Sequence, residues 1–128
     1  MVVPGGDLEM SLLTELWQQP GATVRQLHEV VGVPRGIVYT TVAKVLDRMV
    51  DKGLVRRHAV GRAYAYDAAV DRADTHREMA RDFVERLGGG QAQPAIAALV
   101  GALEEADPEL LEELEAELQA WRERNDGA

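Results

Sequence analysis

The run Gly36-Ile37-Val38-Tyr39-Thr40-Thr41-Val42-Ala43-Lys44-Val45-Leu46-Asp47-Arg48-Met49-Val50-Asp51-Lys52-Gly53 leads directly into Leu54-Val55-Arg56-Arg57-His58-Ala59-Val60-Gly61-Arg62-Ala63-Tyr64-Ala65-Tyr66, and the pattern changes at Gly53. Before it, Val38, Val42, Val45, Leu46 and Met49 recur at helical spacing, so a helix is expected over 36–52. Gly53 stands where a left-handed residue closes such a helix. After it the residues read as strands, 54–59 and 62–66, with Gly61 at the turn between them. A helix that runs into a two-stranded hairpin is the second half of a winged helix.

The first half lies upstream. Leu8, Leu12, Leu13, Leu16 and Trp17 share one face of a helix expected from Leu8 to Gln19, with Asp7 as its N-cap and Pro20-Gly21 as its end. Thr23 and Gln26 have capping-box spacing, so a second helix should start there and run to Val31, burying Val24, Leu27 and Val31. A short strand fits around 22–24, and Gly32-Val33-Pro34 form the turn into the third helix. The order of elements, three helices and then a hairpin, points to a winged helix more strongly than any single residue does.

The other face of the third helix suggests the function. At about 100° per residue, Ile37, Thr40, Lys44 and Arg48 fall away from the apolar stripe, with Thr41 on its flank. Hydroxyls near the start of a helix and cations further along suit a surface laid against DNA. Arg56, Arg57 and Arg62 place three more cations on the hairpin. Each has a plainer reading: mid-helix threonines are often solvated, and Arg56-Arg57 could simply guard a strand edge. Tyr64 and Tyr66 share a strand face and are expected to be structural.

A net charge of −8 over 128 residues seems to argue against a nucleic-acid partner, but the charge is unevenly distributed. Residues 1–67 carry 8 basic and 7 acidic side chains; residues 68–128 carry 6 and 15. Within 20–66 there are 8 basic against 3 acidic. Two regions with different partners are implied.

The second region reads as helical throughout. Asp71 can cap a helix over 72–87 that aligns Met79, Ala80, Phe83, Val84 and Leu87, and Gly88-Gly89-Gly90 is expected to end it in a flexible hinge. Ile96, Leu99, Val100 and Leu103 align on a short helix over 94–105. Asp107-Pro108 opens the last helix, whose stripe is Leu111, Leu114, Leu118 and Trp121. Short helices of this kind cannot easily build a core alone, so these stripes are assigned to contact with a second copy of the chain. The expected fold is mainly α with a small β wing: an N-terminal winged helix-turn-helix over 1–67 and a helical dimerisation region over 68–128. The acidic run from Glu104 to Glu117 reads as the solvated side of those helices.

Several classes of function are set aside. Without cysteine there is no disulfide, zinc–thiolate site or thiol nucleophile. His28, His58 and His76 lie on separate elements without ligand spacing, so no metal is expected. No phosphate loop or nucleophile elbow occurs, so neither enzymatic activity nor a cofactor is expected. No apolar run approaches the roughly 18 residues of a membrane span, and Met-Val-Val-Pro-Gly-Gly-Asp does not resemble a signal peptide, so a cytoplasmic protein without a membrane partner is expected.

The segment Val38-Tyr39-Thr40-Thr41-Val42, followed by Val45-Leu46-Asp47-Arg48-Met49-Val50-Asp51-Lys52-Gly53-Leu54-Val55, resembles the penicillinase-repressor family (BlaI/MecI/CopY). The resemblance extends back through Leu16-Trp17 and Thr23-Val24-Arg25-Gln26-Leu27-His28, and forward through Gly61-Arg62-Ala63-Tyr64-Ala65-Tyr66. It implies a homodimeric repressor on a palindromic operator in double-stranded DNA, with the third helix in the major groove. Thr40, Thr41 and Lys44 would then approach bases, and Arg48, Arg56, Arg57 and Arg62 would touch phosphates or the minor groove. It also implies an inducing signal, in the β-lactam branch a sensor protease. This chain departs from the family on both known routes: it lacks the paired cysteines of the copper-responsive members, and it has no Asn-Phe cleavage pair near Leu99-Val100-Gly101-Ala102. The rival reading is a winged helix used for protein–protein interaction without sequence-specific DNA binding.

Overall fold

In a computed structural model of the protein, which describes residues 2–87 and 92–126, the first helix, α1, spans Asp7–Gln18. Asp7 begins the helix instead of capping it: Gly6, in extended backbone, precedes it and no side chain caps the end. Asp7 and Glu9 still suit the first turn, where unpaired N–H groups favour negative charge. Leu12, Leu13 and Leu16 are buried, and Leu8 and Trp17 pack at the margin.

Strand β1 (Ala22–Thr23) follows, then α2 (Val24–Leu27). The capping box forms as expected: the Thr23 hydroxyl accepts the Gln26 N–H at 3.2 Å, and the Gln26 side-chain carbonyl accepts the Thr23 N–H at 2.9 Å. The expected helix to Val31 is not continuous. A π-helical turn (His28–Gly32) and a 3-10 turn (Val33–Arg35) replace its second half. Pro34 has no N–H to donate and crowds the residue before it, so an α-helix cannot run smoothly through this stretch.

Helix α3 spans Tyr39–Lys52 and starts later than the apolar spacing predicts. Gly36 has φ 68°, a left-handed conformation, and Val38 is extended, so the helical projection does not apply before Tyr39. Two expectations are corrected as a result. Val38, expected in the core, is 62% exposed. Ile37, expected on the outer face, is half-buried and packs against the core. From Tyr39 onward the stripe holds, with Val42, Val45, Leu46 and Met49 buried. Gly53 (φ 80°) closes the helix in a Schellman arrangement: its N–H bonds the Val50 carbonyl at 3.0 Å, and the Leu54 N–H bonds the Met49 carbonyl at 2.9 Å.

The wing is β2 (Val55–Val60) and β3 (Ala63–Ala68), antiparallel and in register from Val55 opposite Ala68 to Val60 opposite Ala63. Gly61, at φ 60°, occupies the first position of the two-residue turn, where a type II′ hairpin needs a residue of positive φ. β1 adds to the other side of β3, giving the order β1-β3-β2.

Helix α4 (Arg72–Leu87) starts under the Asp71 cap, whose carboxylate accepts the Asp74 N–H at 3.1 Å. The compact unit that contains the winged helix continues through Asp82, beyond the hairpin. Trp17 donates its indole N–H to the Val70 carbonyl at 3.0 Å and meets the His76 ring edge-on at 5.6 Å. Thr75 is fully buried, with its hydroxyl on the Asp71 carbonyl at 2.8 Å.

The second unit comprises residues 83–128 and contains α5 (Ala92–Ala106) and α6 (Glu109–Asp126). Asp107 accepts the Glu109 N–H at 3.0 Å, which caps α6 where the sequence places an N-cap. No residue of α5 or α6 is fully buried. Leu103, Leu111 and Leu114 are half-buried, as is Leu87, whereas Phe83, Ile96, Leu99, Val100, Leu118 and Trp121 are exposed. The expected hinge at Gly88-Gly89-Gly90 lies outside the described residues.

Candidate nucleic-acid interface

The amphipathic turn pattern of α3 buries one stripe and leaves Thr40, Thr41, Lys44 and Arg48 exposed, as expected from the sequence. Tyr39 and Val38 are also exposed at the head of the helix. The surface position of Val38 leaves no mark in the sequence, because its apolar spacing continues that of the helix that begins only at Tyr39. His28 holds the head of α3 in place: its Nε2 lies 3.0 Å from the Ile37 carbonyl and its ring meets Tyr39 edge-on at 5.8 Å.

On the wing, alternation sends Arg56 and Arg57 to opposite sheet faces. Arg57 stands opposite Tyr66, and Arg56 opposite Asp67. Arg56 therefore shares its face with His58 and Asp67, which pair at 3.5 Å, and does not join the side that faces α3. That side holds a cleft of about 560 Å³ lined by Tyr39, Ala43 and Asp47 of α3 and by Arg57, Arg62 and Tyr64 of the wing, among others.

Arg57 is firmly engaged inside this cleft. Its Nη1 donates to Asp47 Oδ1 at 2.8 Å, and its guanidinium carbon lies 4.7 Å from the centre of the Tyr64 ring. A hydrogen bond donated to the Tyr66 hydroxyl is the main reason its pKa rises above the ordinary arginine value; Asp47 adds to the rise and burial opposes it. Burial pushes the Tyr66 phenol above its ordinary value, and the Arg57 hydrogen bond works against that rise.

Other cations of the winged helix are likewise occupied. Arg35 reaches the Val31 carbonyl, the Ser11 hydroxyl and Asp7; Lys52 holds Glu9 at 2.9 Å; Arg25 pairs with Glu29 at 3.4 Å. Among the described residues of the winged helix, Lys44, Arg48, Arg56 and Arg62 have no hydrogen-bond or ion-pair partner. Two of these unpaired cations are on α3 and two are on the wing.

A family profile described as the penicillinase repressor matches residues 5–120. The transcriptional regulator BlaI of Mycobacterium tuberculosis is 34% identical, in an alignment that spans 73% of this chain and 81% of that protein. Among solved structures, the solution structure of the DNA binding domain of the repressor BlaI matches with a TM-score of 0.51 at 20% identity, over 57% of this chain and 90% of that one. The PcaV transcriptional regulator from Streptomyces coelicolor matches with a TM-score of 0.51 at 19% identity, over 89% and 79% of the respective chains. At such identities the structural matches establish the fold: a helical winged-helix body with a small antiparallel sheet.

Proposed function

The chain belongs to the penicillinase-repressor family, and we propose that within it this protein is a transcriptional repressor that binds a pseudo-palindromic operator in double-stranded DNA as a homodimer. The observation that carries the reading is the distribution of unpaired cations. The winged helix spends Arg25, Arg35, Lys52 and Arg57 on its own carboxylates and leaves Lys44, Arg48 and Arg62 open on α3 and beside the cleft. Among the described residues Arg72, Arg81, Arg122 and Arg124 are unpaired on the later helices as well, but within the winged helix the open cations all fall on α3 and the hairpin, the two elements this fold lays against a duplex.

In this reading α3 enters the major groove head first. Thr40, Thr41 and Lys44 offer hydroxyl and ammonium donors to base edges, and the exposed Val38 offers methyl groups to thymine methyls. Arg48 and Arg62 contact phosphates on either side, and Arg56, on the far face of the wing, contributes charge at longer range. Ile37 drops out of the contact set because its side chain packs against the core. The exposed Leu118 and Trp121, with Ile96 and Leu99, supply the face on which a second copy packs. Among the described residues no helix is long and apolar enough to cross a membrane.

The test is titration of a labelled duplex, drawn from the region upstream of the protein's own gene, at increasing salt. With Arg48 and Arg62 of each protomer on phosphates, and Lys44 and Arg56 adding charge nearby, log K should fall against log salt with a slope of roughly −4 to −7 per dimer. Binding that does not respond to salt would favour a protein partner over DNA.

A further inference from the structure

We infer that Arg57 is a positioning residue of the DNA-reading surface: it cancels the charge of Asp47 and fastens the wing to α3, and does not itself contact a phosphate. The inference rests on the repressor reading, but it changes the role that the wing arginines are expected to share. The guanidinium has a carboxylate 2.8 Å away on one side and the Tyr64 ring 4.7 Å away on another. Its strand position lies opposite Tyr66, which is buried in the core, so the arginine is rooted in the rigid part of the sheet. A phosphate that approached Arg57 would have to compete with the Asp47 carboxylate already bonded to its Nη1. Arg62, in the same cleft, has no such partner and is free to take that role.

Asp47 explains why such a device is needed. It sits on α3 three residues beyond Lys44, at the edge facing the wing, with its side chain more than half exposed. A bare carboxylate there would lie close to the DNA backbone and repel it. Paired with Arg57 it is neutral at long range, and the pair ties the third turn of α3 to the middle of β2. Helix and wing then meet the duplex as one preformed surface, which lowers the ordering cost of binding.

The experiment is a double-mutant cycle on the full chain, with the same upstream duplex as probe and the Arg57 side chain followed by NMR in the DNA-free protein. R57Q alone should weaken binding by roughly fivefold, because it exposes the Asp47 charge. D47N alone should bind as well as the wild type or more tightly. D47N/R57Q should return to within about twofold of the wild type with an unchanged salt slope, a coupling that only interacting residues show. In the free protein the Arg57 δ-protons should carry an upfield ring-current shift from Tyr64 that collapses in D47N. A double variant as weak as R57Q, with the slope reduced by about two per dimer, would make Arg57 a phosphate contact and overturn the inference. So would an R57Q protein that binds like the wild type. If the wild-type chain binds no DNA, the repressor reading fails by itself, and the NMR shift alone decides: Arg57 protons at unstructured values would overturn the clasp.

Discussion

Gly32 and Val42 approach so closely that a side chain on the glycine has no room: a Cβ there would lie 3.0 Å from Val42 Cγ2, 2.7 Å from His28 Cδ2 and 3.2 Å from the Ile37 carbonyl oxygen. The backbone at Gly32 is ordinary, so the requirement is one of space and not of dihedral angle. Gly32→Ala should therefore destabilise the protein by about 1 to 3 kcal/mol through overpacking, although alanine is the better helix former. Gly101→Ala, inside α5 with nothing within 4 Å, serves as the control and should not lower the melting temperature. Equal melting curves for G32A and the wild type would show that the turn relaxes freely.

That contact joins segments whose approach has no periodic signature along the chain. The Thr23–Gln26 capping box, the α3 stripe from Val42 to Met49, the Gly53 closure and the Gly61 hairpin were all legible, because each depends on neighbours along the chain. The start of α3 was not legible. Val38 continues the helical spacing, and the left-handed Gly36 that swings Ile37 inward and Val38 outward leaves no periodic trace. Within the candidate site, the exposure of Thr40, Thr41, Lys44 and Arg48 followed from helix geometry. The engagement of Arg57 with Asp47 joins two elements and was visible only once they were placed together.

The exposed apolar face of the second unit leads to a prediction about assembly. Leu118 and Trp121 lie on one stripe of α6 and are 46% and 54% exposed. Leu118→Arg combined with Trp121→Arg should convert a dimer into a monomer in sedimentation equilibrium while leaving the melting of the winged helix intact. A wild-type chain that is monomeric at micromolar concentration would overturn the dimer, and a doubly substituted chain that remains dimeric would place the interface elsewhere.

Tyr66 should make stability sensitive to alkaline pH. Its phenol is held above the ordinary value of 10.0, chiefly by burial, so the folded protein keeps the proton over a range in which the unfolded chain has lost it. The resulting stabilisation is complete below the unfolded value and declines as pH rises through the folded one. Tyr66→Phe removes the ionisable group, so its stability should fall less steeply with pH above 10 than that of the wild type in denaturant titrations. Parallel curves for the two proteins would mean that Tyr66 ionises as a free tyrosine does.

Base reading and phosphate contact can be separated by substitution along the surface. If Thr41 and Lys44 meet base edges, Thr41→Ala or Lys44→Ala should cost about 1 to 3 kcal/mol on the operator and relax preference at particular positions. Val38→Ser should weaken selection for thymine at a neighbouring position, because it removes the methyl groups exposed at the head of α3. Arg62→Ala, on the wing, should weaken all sequences alike and lower the salt slope by roughly two per dimer. A symmetric dimer presents two such helices, so the footprint should be a pseudo-palindrome with half-sites about 10 or 20 base pairs apart. Selection of bound sequences from a random duplex pool measures all of these together. If Lys44→Ala and Arg62→Ala lost affinity equally and neither changed the selected sequence, α3 would not lie in the groove with Lys44 toward the bases, and specificity would have to come from the deformability of the DNA instead.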